Sequence, residues 1–181
     1  MKSIVMTGGT SKRFGSDKSE ALINGKTLLE ILAENLEDLV IVGPETSIKA
    51  IYVREEPIAA GPVAAIGAGL NKVDTDLVAI FATDMPFAPR VLNQLKSALV
   101  NDAAMPVDCD GYAQPLAALY RTEKLREALN SLGSLENKSV KELISKLNID
   151  RVPLVETELL LDIDTQADLL RAIDLASRLA Q

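Results

Sequence analysis

Residues 4–18 read Ile4-Val5-Met6-Thr7-Gly8-Gly9-Thr10-Ser11-Lys12-Arg13-Phe14-Gly15-Ser16-Asp17-Lys18. Three apolar residues followed at once by glycines and hydroxyls read as a buried strand that opens into a loop. Glycines let backbone N–H groups approach an oxyanion closely, the hydroxyls add donors, and Arg13 and Lys18 add positive charge. On these residues alone the loop is either a phosphate cradle or only a turn. Two common phosphate-binding patterns are excluded by spacing. A P-loop requires GxxxxGK[ST], whereas Gly9 and Gly15 are separated by five residues and Ser16 occupies the lysine position. A dinucleotide loop requires GxGxxG, and here Gly8 and Gly9 are adjacent with no third glycine in register.

Outward from this loop, short apolar runs alternate with helical patterns, the signature of an α/β fold with a largely parallel central sheet covered on both faces. Asn24-Gly25 marks a tight turn, and Thr27 with Glu30 forms a capping box that opens a helix over 28–36. Strands are expected over 39–42, 51–53 and 77–81. A helix begins at Pro62, and its small residues allow close packing on the sheet. Another helix is expected over 89–99. In the second half, Asp108-Cys109-Asp110-Gly111 separates strands over 103–107 and 112–120 and predicts an added antiparallel hairpin. Helices follow over 123–132 and from Ser139, the latter with Glu142 as capping-box partner. Runs over 152–155 and 159–161 read as strands, and Thr165 with Asp168 caps a final helix reaching toward Leu179. No linker, repeat or low-complexity segment divides the chain, so residues 1–181 read as one domain.

Composition narrows the chemistry. The 181 residues include 19 Lys and Arg against 26 Asp and Glu, a formal charge of −7. That balance disfavours a broad nucleic-acid or anionic-membrane surface. The absence of histidine removes the Ser-His-Asp triad, the HExxH zinc site and any imidazole base. One cysteine, Cys109, rules out an internal disulfide and points to a reducing cytoplasm. The apolar start is too short for a signal-peptide core, and the stretch 58–70, interrupted by Gly61-Pro62, is too short to span a membrane.

Several segments together resemble the nucleotidyltransferases related to molybdenum cofactor guanylyltransferase. The opening motif of that family, close to LAGGxSxRxGxDK, is matched by Met6 through Lys18, and its NGK-x-LL turn by Asn24-Gly25-Lys26-Thr27-Leu28-Leu29. Glu55-Glu56-Pro57 with Gly61 through Leu70 is similar to its (E/D)-P…GP-LAGI-xxGL segment, and Thr83-Asp84-Met85-Pro86-Phe87 to its D-x-PF motif. Gly111-Tyr112-Ala113-Gln114-Pro115 resembles G-x-x-(H/Q)-P, and Leu161 through Leu169 resembles the (N/D)-x-(N/D)-T-P-x-DL ending. Thr7, Phe14 and Gln166 depart from the usual Ala, Met or Leu, and Pro, and none of these changes removes a charge. The resemblance implies a three-layer, Rossmann-like fold of the nucleotide-diphospho-sugar transferase kind. It also implies magnesium-dependent transfer of GMP from GTP to molybdopterin, by a monomer or small homo-oligomer. A relative using CTP or another phosphorylated acceptor, and a nucleotide-binding regulator without turnover, remain as alternatives.

The residue roles follow from that chemistry. Asp84, at the carboxyl end of a strand on the same sheet edge as the glycine loop, is the first candidate magnesium ligand, since hard cations prefer carboxylate and phosphate oxygens. Asp162 and Asp164 fall on one side of a strand by the period of two and either join that metal or only lead into the Thr165 cap. Lys18 and Arg13 would contact the triphosphate and the departing pyrophosphate. Met6, Thr7, Gly8, Gly9, Thr10, Ser11 and Gly15 would surround the nucleotide. Glu55 or Glu56 either accepts from the N1–H and amino group of guanine or is an ordinary strand-end glutamate. Gln114 and Pro115 would face the acceptor.

Overall fold

The computed structural model describes residues 1–7 and 21–180. Ile4, Val5 and Met6 belong to β1 (Lys2–Met6), whose interior residues are all buried because helices cover both faces of the sheet. A two-residue hairpin follows, β2 (Leu22–Ile23) and β3 (Lys26–Thr27). Its turn uses Asn24 and Gly25 at φ 51° and 83°, the paired left-handed geometry that Asn-Gly favours. Next come α1 (Leu28–Ala33), β4 (Leu39–Val42), β5 (Ile51–Val53), α2 (Pro62–Leu70) and β6 (Leu77–Ala82). The second half adds α3 (Leu92–Ala98), β7 (Ala103–Val107), β8 (Ala117–Arg121), α4 (Thr122–Ser131), α5 (Val140–Ile144), β9 (Ile149–Pro153) and α6 (Gln166–Leu179).

Among the described residues the main sheet has the order β5-β4-β1-β6-β8-β7-β9. Strands β5, β4, β1 and β6 are parallel, β8 runs antiparallel between β6 and β7, and β9 is parallel to β7. The hairpin expected from Asp108 to Gly111 is therefore inserted within the sheet. Alternation along the strands divides the core into two layers. Ile4, Val40 and Ile80 pack with α2, α4 and α5, while Val5, Ile41 and Phe81 pack with α1, α3 and α6. On the first face, α2 comes so close that a Cβ on Gly69 would lie 2.7 Å from Ile4 Cγ2. No described helix is long and apolar enough to cross a membrane.

Several expected elements change form. α1 ends at Ala33, short of the expected 36, and a 3-10 turn (Ala88–Val91) precedes α3. The long strand over 112–120 contracts to β8, with Ala113 forming only an isolated bridge to Val107. β9 begins earlier than expected, at Ile149. Leu159, Leu160 and Leu161 do not form a strand: Thr157–Leu160 is a 3-10 turn in which consecutive Leu159 and Leu160 are both buried, which an alternating strand with one covered face cannot do. Asp162 and Asp164 accordingly lie in an irregular segment.

All three capping boxes form, at Thr27/Glu30, Ser139/Glu142 and Thr165/Asp168. The Thr27 N–H lowers the Glu30 pKa, and the Thr165 hydroxyl lowers that of Asp168 against the opposing effect of burial. The Ser139 N–H, with Lys138 and the Ser139 hydroxyl, lowers Glu142 from 4.5 to about 2. A carboxyl whose pKa is depressed by folding stabilises the native state above its unfolded value, and that contribution is lost as pH falls through the folded value. Unfolding midpoints should thus decline for this cap between pH 4.5 and about 2. In Glu142→Gln, which keeps the capping geometry without the charge, urea titrations across that range should show a shallower decline; parallel declines would contradict the assignment.

Candidate functional site at the carboxyl edge of the sheet

β1 leads by way of α1 to β4 on one side, while β5 leads by way of α2 across to β6 on the other. The strand order thus switches between β1 and β6, and in open α/β sheets the crevice outside such a point receives ligands. The glycine loop leaves β1 and Asp84 follows β6 at this edge. Gly8, Gly9, Thr10, Ser11, Arg13, Gly15 and Lys18 lie outside the described residues; Met6 ends β1 and Thr7 follows it.

Two threonines tie the strand ends together. Thr7 donates its N–H and its hydroxyl to Val42 O, each at 3.1 Å. Thr83 donates its N–H at 3.1 Å and its hydroxyl at 2.8 Å to Met6 O. The end of β6 is therefore fixed to the residue from which the loop departs. Ile163 donates its N–H to Asp84 O at 3.0 Å, and its side chain is fully buried in the core. This anchor brings the Asp162–Asp164 segment against the end of β6.

The result is a cluster of three carboxylates. Asp84, Asp162 and Asp164 each offer an oxygen, and these oxygens all lie within 4.8 Å of one another. Asp162 is exposed and the other two are half-buried. Convergence expected from strand periodicity is thus achieved by the buried Ile163 between two carboxylates. The close approach of three oxygen donors, with no nitrogen or sulfur among them, matches the ligand preference of a hard divalent cation such as magnesium.

Other expected site residues flank this cluster. Glu55 and Glu56 follow β5, three strand spacings or roughly 14 Å from β6 at ~4.8 Å per strand. Both line a groove of about 600 Å³ bordered by α2 and α4. Glu55 Oε1 accepts the Ala59 N–H at 3.0 Å, which holds this carboxylate on its own loop. On the opposite side, the turn at Gln114–Ala117 abuts the end of β6, where Ala82 N–H donates to Leu116 O at 2.9 Å. Gln114 and Pro115 are half-buried there. The fully buried Tyr120, whose pKa burial pushes upward, donates its hydroxyl to Pro115 O at 2.6 Å. Thr83 and Ile163 were visible in the sequence only as a motif neighbour and an apolar position, because their partners Met6 and Asp84 are distant in the chain; the Tyr120–Pro115 bond is local but depends on the form of the turn.

A family model described as the MobA-like NTP transferase domain matches residues 3–152. The chain belongs to this family. A probable molybdenum cofactor guanylyltransferase of Mycobacterium avium is 30% identical over 183 aligned positions, covering 92% of this chain and 91% of that protein. Molybdopterin-guanine dinucleotide biosynthesis protein A of Archaeoglobus fulgidus superposes with a TM-score of 0.77 at 25% identity, covering 98% of this chain and all of that one. The 4-diphosphocytidyl-2C-methyl-D-erythritol synthase of Anaerococcus prevotii shares the fold at a TM-score of 0.69 and 15% identity, covering 97% and 95% of the two chains. Within the MobA-like frame Thr7 replaces the usual alanine, and the structure shows what accommodates its hydroxyl.

That accommodation is Gly43. Its φ is +154°, and a Cβ there would stand 1.8 Å from Thr7 Oγ1 and 3.2 Å from Thr7 Cβ. Gly43→Ala should lower unfolding stability by about 1–3 kcal/mol through overpacking. Adding Thr7→Ala removes the nearer clash and should recover part of the loss in urea denaturation. Full stability of Gly43→Ala, or a further loss in the double variant, would refute the coupling.

Proposed function

We propose that this MobA-like chain transfers the GMP moiety of GTP to the phosphate of molybdopterin, releasing pyrophosphate, in a reducing cytoplasm. The observation that carries this reading is the convergence of Asp84, Asp162 and Asp164 beside the strand that bears the glycine loop. The order of groups along the edge supports it, from Glu55 and Glu56 after β5, past the end of β1, to Asp84 after β6 and Gln114 and Pro115 before β8.

In the proposed reaction an acceptor phosphate oxygen attacks the α-phosphorus of GTP. A P–O bond forms as the bond from the α-phosphorus to the bridging oxygen breaks, and pyrophosphate leaves with the electron pair. A phosphate monoester, with a second pKa near 6, is already largely a dianion at neutral pH. The nucleophile thus needs no base, in keeping with a chain that lacks histidine. The protein's task is positioning and charge compensation. Asp84, Asp162 and Asp164 would hold Mg2+, which supplies Lewis-acid neutralisation of phosphate oxygens. Arg13 and Lys18 would face the β- and γ-phosphates and the charge that grows on the leaving group. Glycine-loop N–H groups would hold phosphate oxygens, and Glu55 or Glu56 would accept from the guanine N1–H and amino group. Cytosine offers only the amino donor.

With Mg2+, GTP and molybdopterin, the protein should release pyrophosphate and form the guanine dinucleotide, read by mass spectrometry. Asp84→Ala should lower the rate by roughly a hundredfold or more. Turnover with CTP in place of GTP would move the reading to a cytidylyltransferase. Pyrophosphate from neither nucleotide, or full activity in Asp84→Ala, would overturn it.

A further inference from the structure

The turn between β7 and β8 is built around one carboxylate. Asp108 Oδ1 accepts the Asp110 N–H at 3.0 Å and the Tyr112 N–H at 2.8 Å, while Oδ2 accepts Gln114 Nε2 at 2.5 Å. Burial works against ionisation of Asp108, but the Tyr112 N–H, the Gln114 amide and the other turn N–H groups outweigh it and lower its pKa. The turn has further anchors: Asp108 N–H to Tyr112 O at 3.0 Å, Gln114 N–H to Pro106 O at 2.9 Å, and Arg151 to Gly111 O at 2.5 Å. The Gln114 backbone is therefore fixed by bonds that do not involve the Asp108 side chain, whereas its side-chain amide is oriented by Asp108 Oδ2.

An ionised carboxylate only accepts, so it selects one of the two amide orientations of Gln114: Nε2 toward Asp108 and Oε1 away from it. We propose that Asp108 is a positioning residue that fixes Gln114 with its carbonyl oxygen presented to the acceptor substrate, so that the site selects an acceptor carrying an N–H donor at that point. A fused nitrogen heterocycle with a lactam N–H or an exocyclic amine has this chemistry. The inference rests on the proposed transfer to molybdopterin and adds to it the polarity of recognition and the residue that sets it. A site built to pair one polarity discriminates strongly against the opposite one, because the mismatched groups stay desolvated and unpaired.

Asp108→Asn tests this directly. Asparagine can keep an oxygen for the Asp110 and Tyr112 N–H groups while turning its amide toward Gln114, which must then flip and present Nε2 to the acceptor. The KM for molybdopterin should rise roughly tenfold or more, with the KM for GTP and the thermal midpoint nearly unchanged. In Asp108→Asn combined with Gln114→Glu, the asparagine amide donates to one glutamate oxygen and the other faces the acceptor, so the molybdopterin KM should return toward that of the unmodified protein. An unchanged molybdopterin KM in Asp108→Asn would overturn the proposal. So would an equal rise in both KM values with a lowered thermal midpoint and no recovery in the double variant, the mark of a purely structural turn. Absence of pyrophosphate from the unmodified protein would instead overturn the transfer reading, and this inference with it.

Discussion

The carbonyl of Met6 is the point on which the site depends. It ends β1, and it accepts both the N–H and the hydroxyl of Thr83 at the end of β6. Parallel strands diverge once their ladder stops, and at a switch point their outgoing chains turn to opposite sides of the sheet. Two hydrogen bonds from one residue delay that divergence by a residue, so Asp84 emerges beside the root of the glycine loop. The Ile163 N–H then binds the Asp84 carbonyl and brings in a segment far away in sequence. Backbone bonds and one buried isoleucine thus assemble three carboxylates at one strand end.

This arrangement clarifies the acidic balance. A formal charge of −7 disfavours polyanion binding over the surface as a whole. Under the proposed reading, the carboxylates concentrated at one strand end give part of that charge a local purpose, since they would seat a divalent cation beside the end of β1. The lack of histidine fits a reaction whose nucleophile is an ionised phosphate.

Much of this was legible in the sequence because it depends on local chemistry. The Asn24-Gly25 turn, the Pro62 helix start and the boxes at Thr27, Ser139 and Thr165 each involve residues within one turn of one another, and all form as read. The parallel strands β1, β4 and β6 were equally plain as buried apolar runs. Asp84 was identified from its place after such a run, and its meeting with Asp162 and Asp164 was anticipated on the wrong local geometry. The run Leu159-Leu160-Leu161 was too short for periodicity to separate a strand from a helical turn. The partners of Thr83 and Gly43 could not be read, since Met6 and Thr7 are far from them in the chain. The Asp108–Gln114 contact spans only six residues, but it depends on the form of the turn, and Asp-Gly signals a hairpin without specifying which side chains face one another.

The central claim is that the three aspartates form one cation seat serving the nucleotide. Electron paramagnetic resonance titration of Mn2+, standing in for Mg2+, tests it most directly in the absence and presence of GTP. The account predicts one Mn2+ per chain, bound more tightly with GTP, and loss of that site in Asp84→Asn with the thermal midpoint retained. Equal Mn2+ stoichiometry and affinity in the unmodified and Asp84→Asn proteins would contradict it.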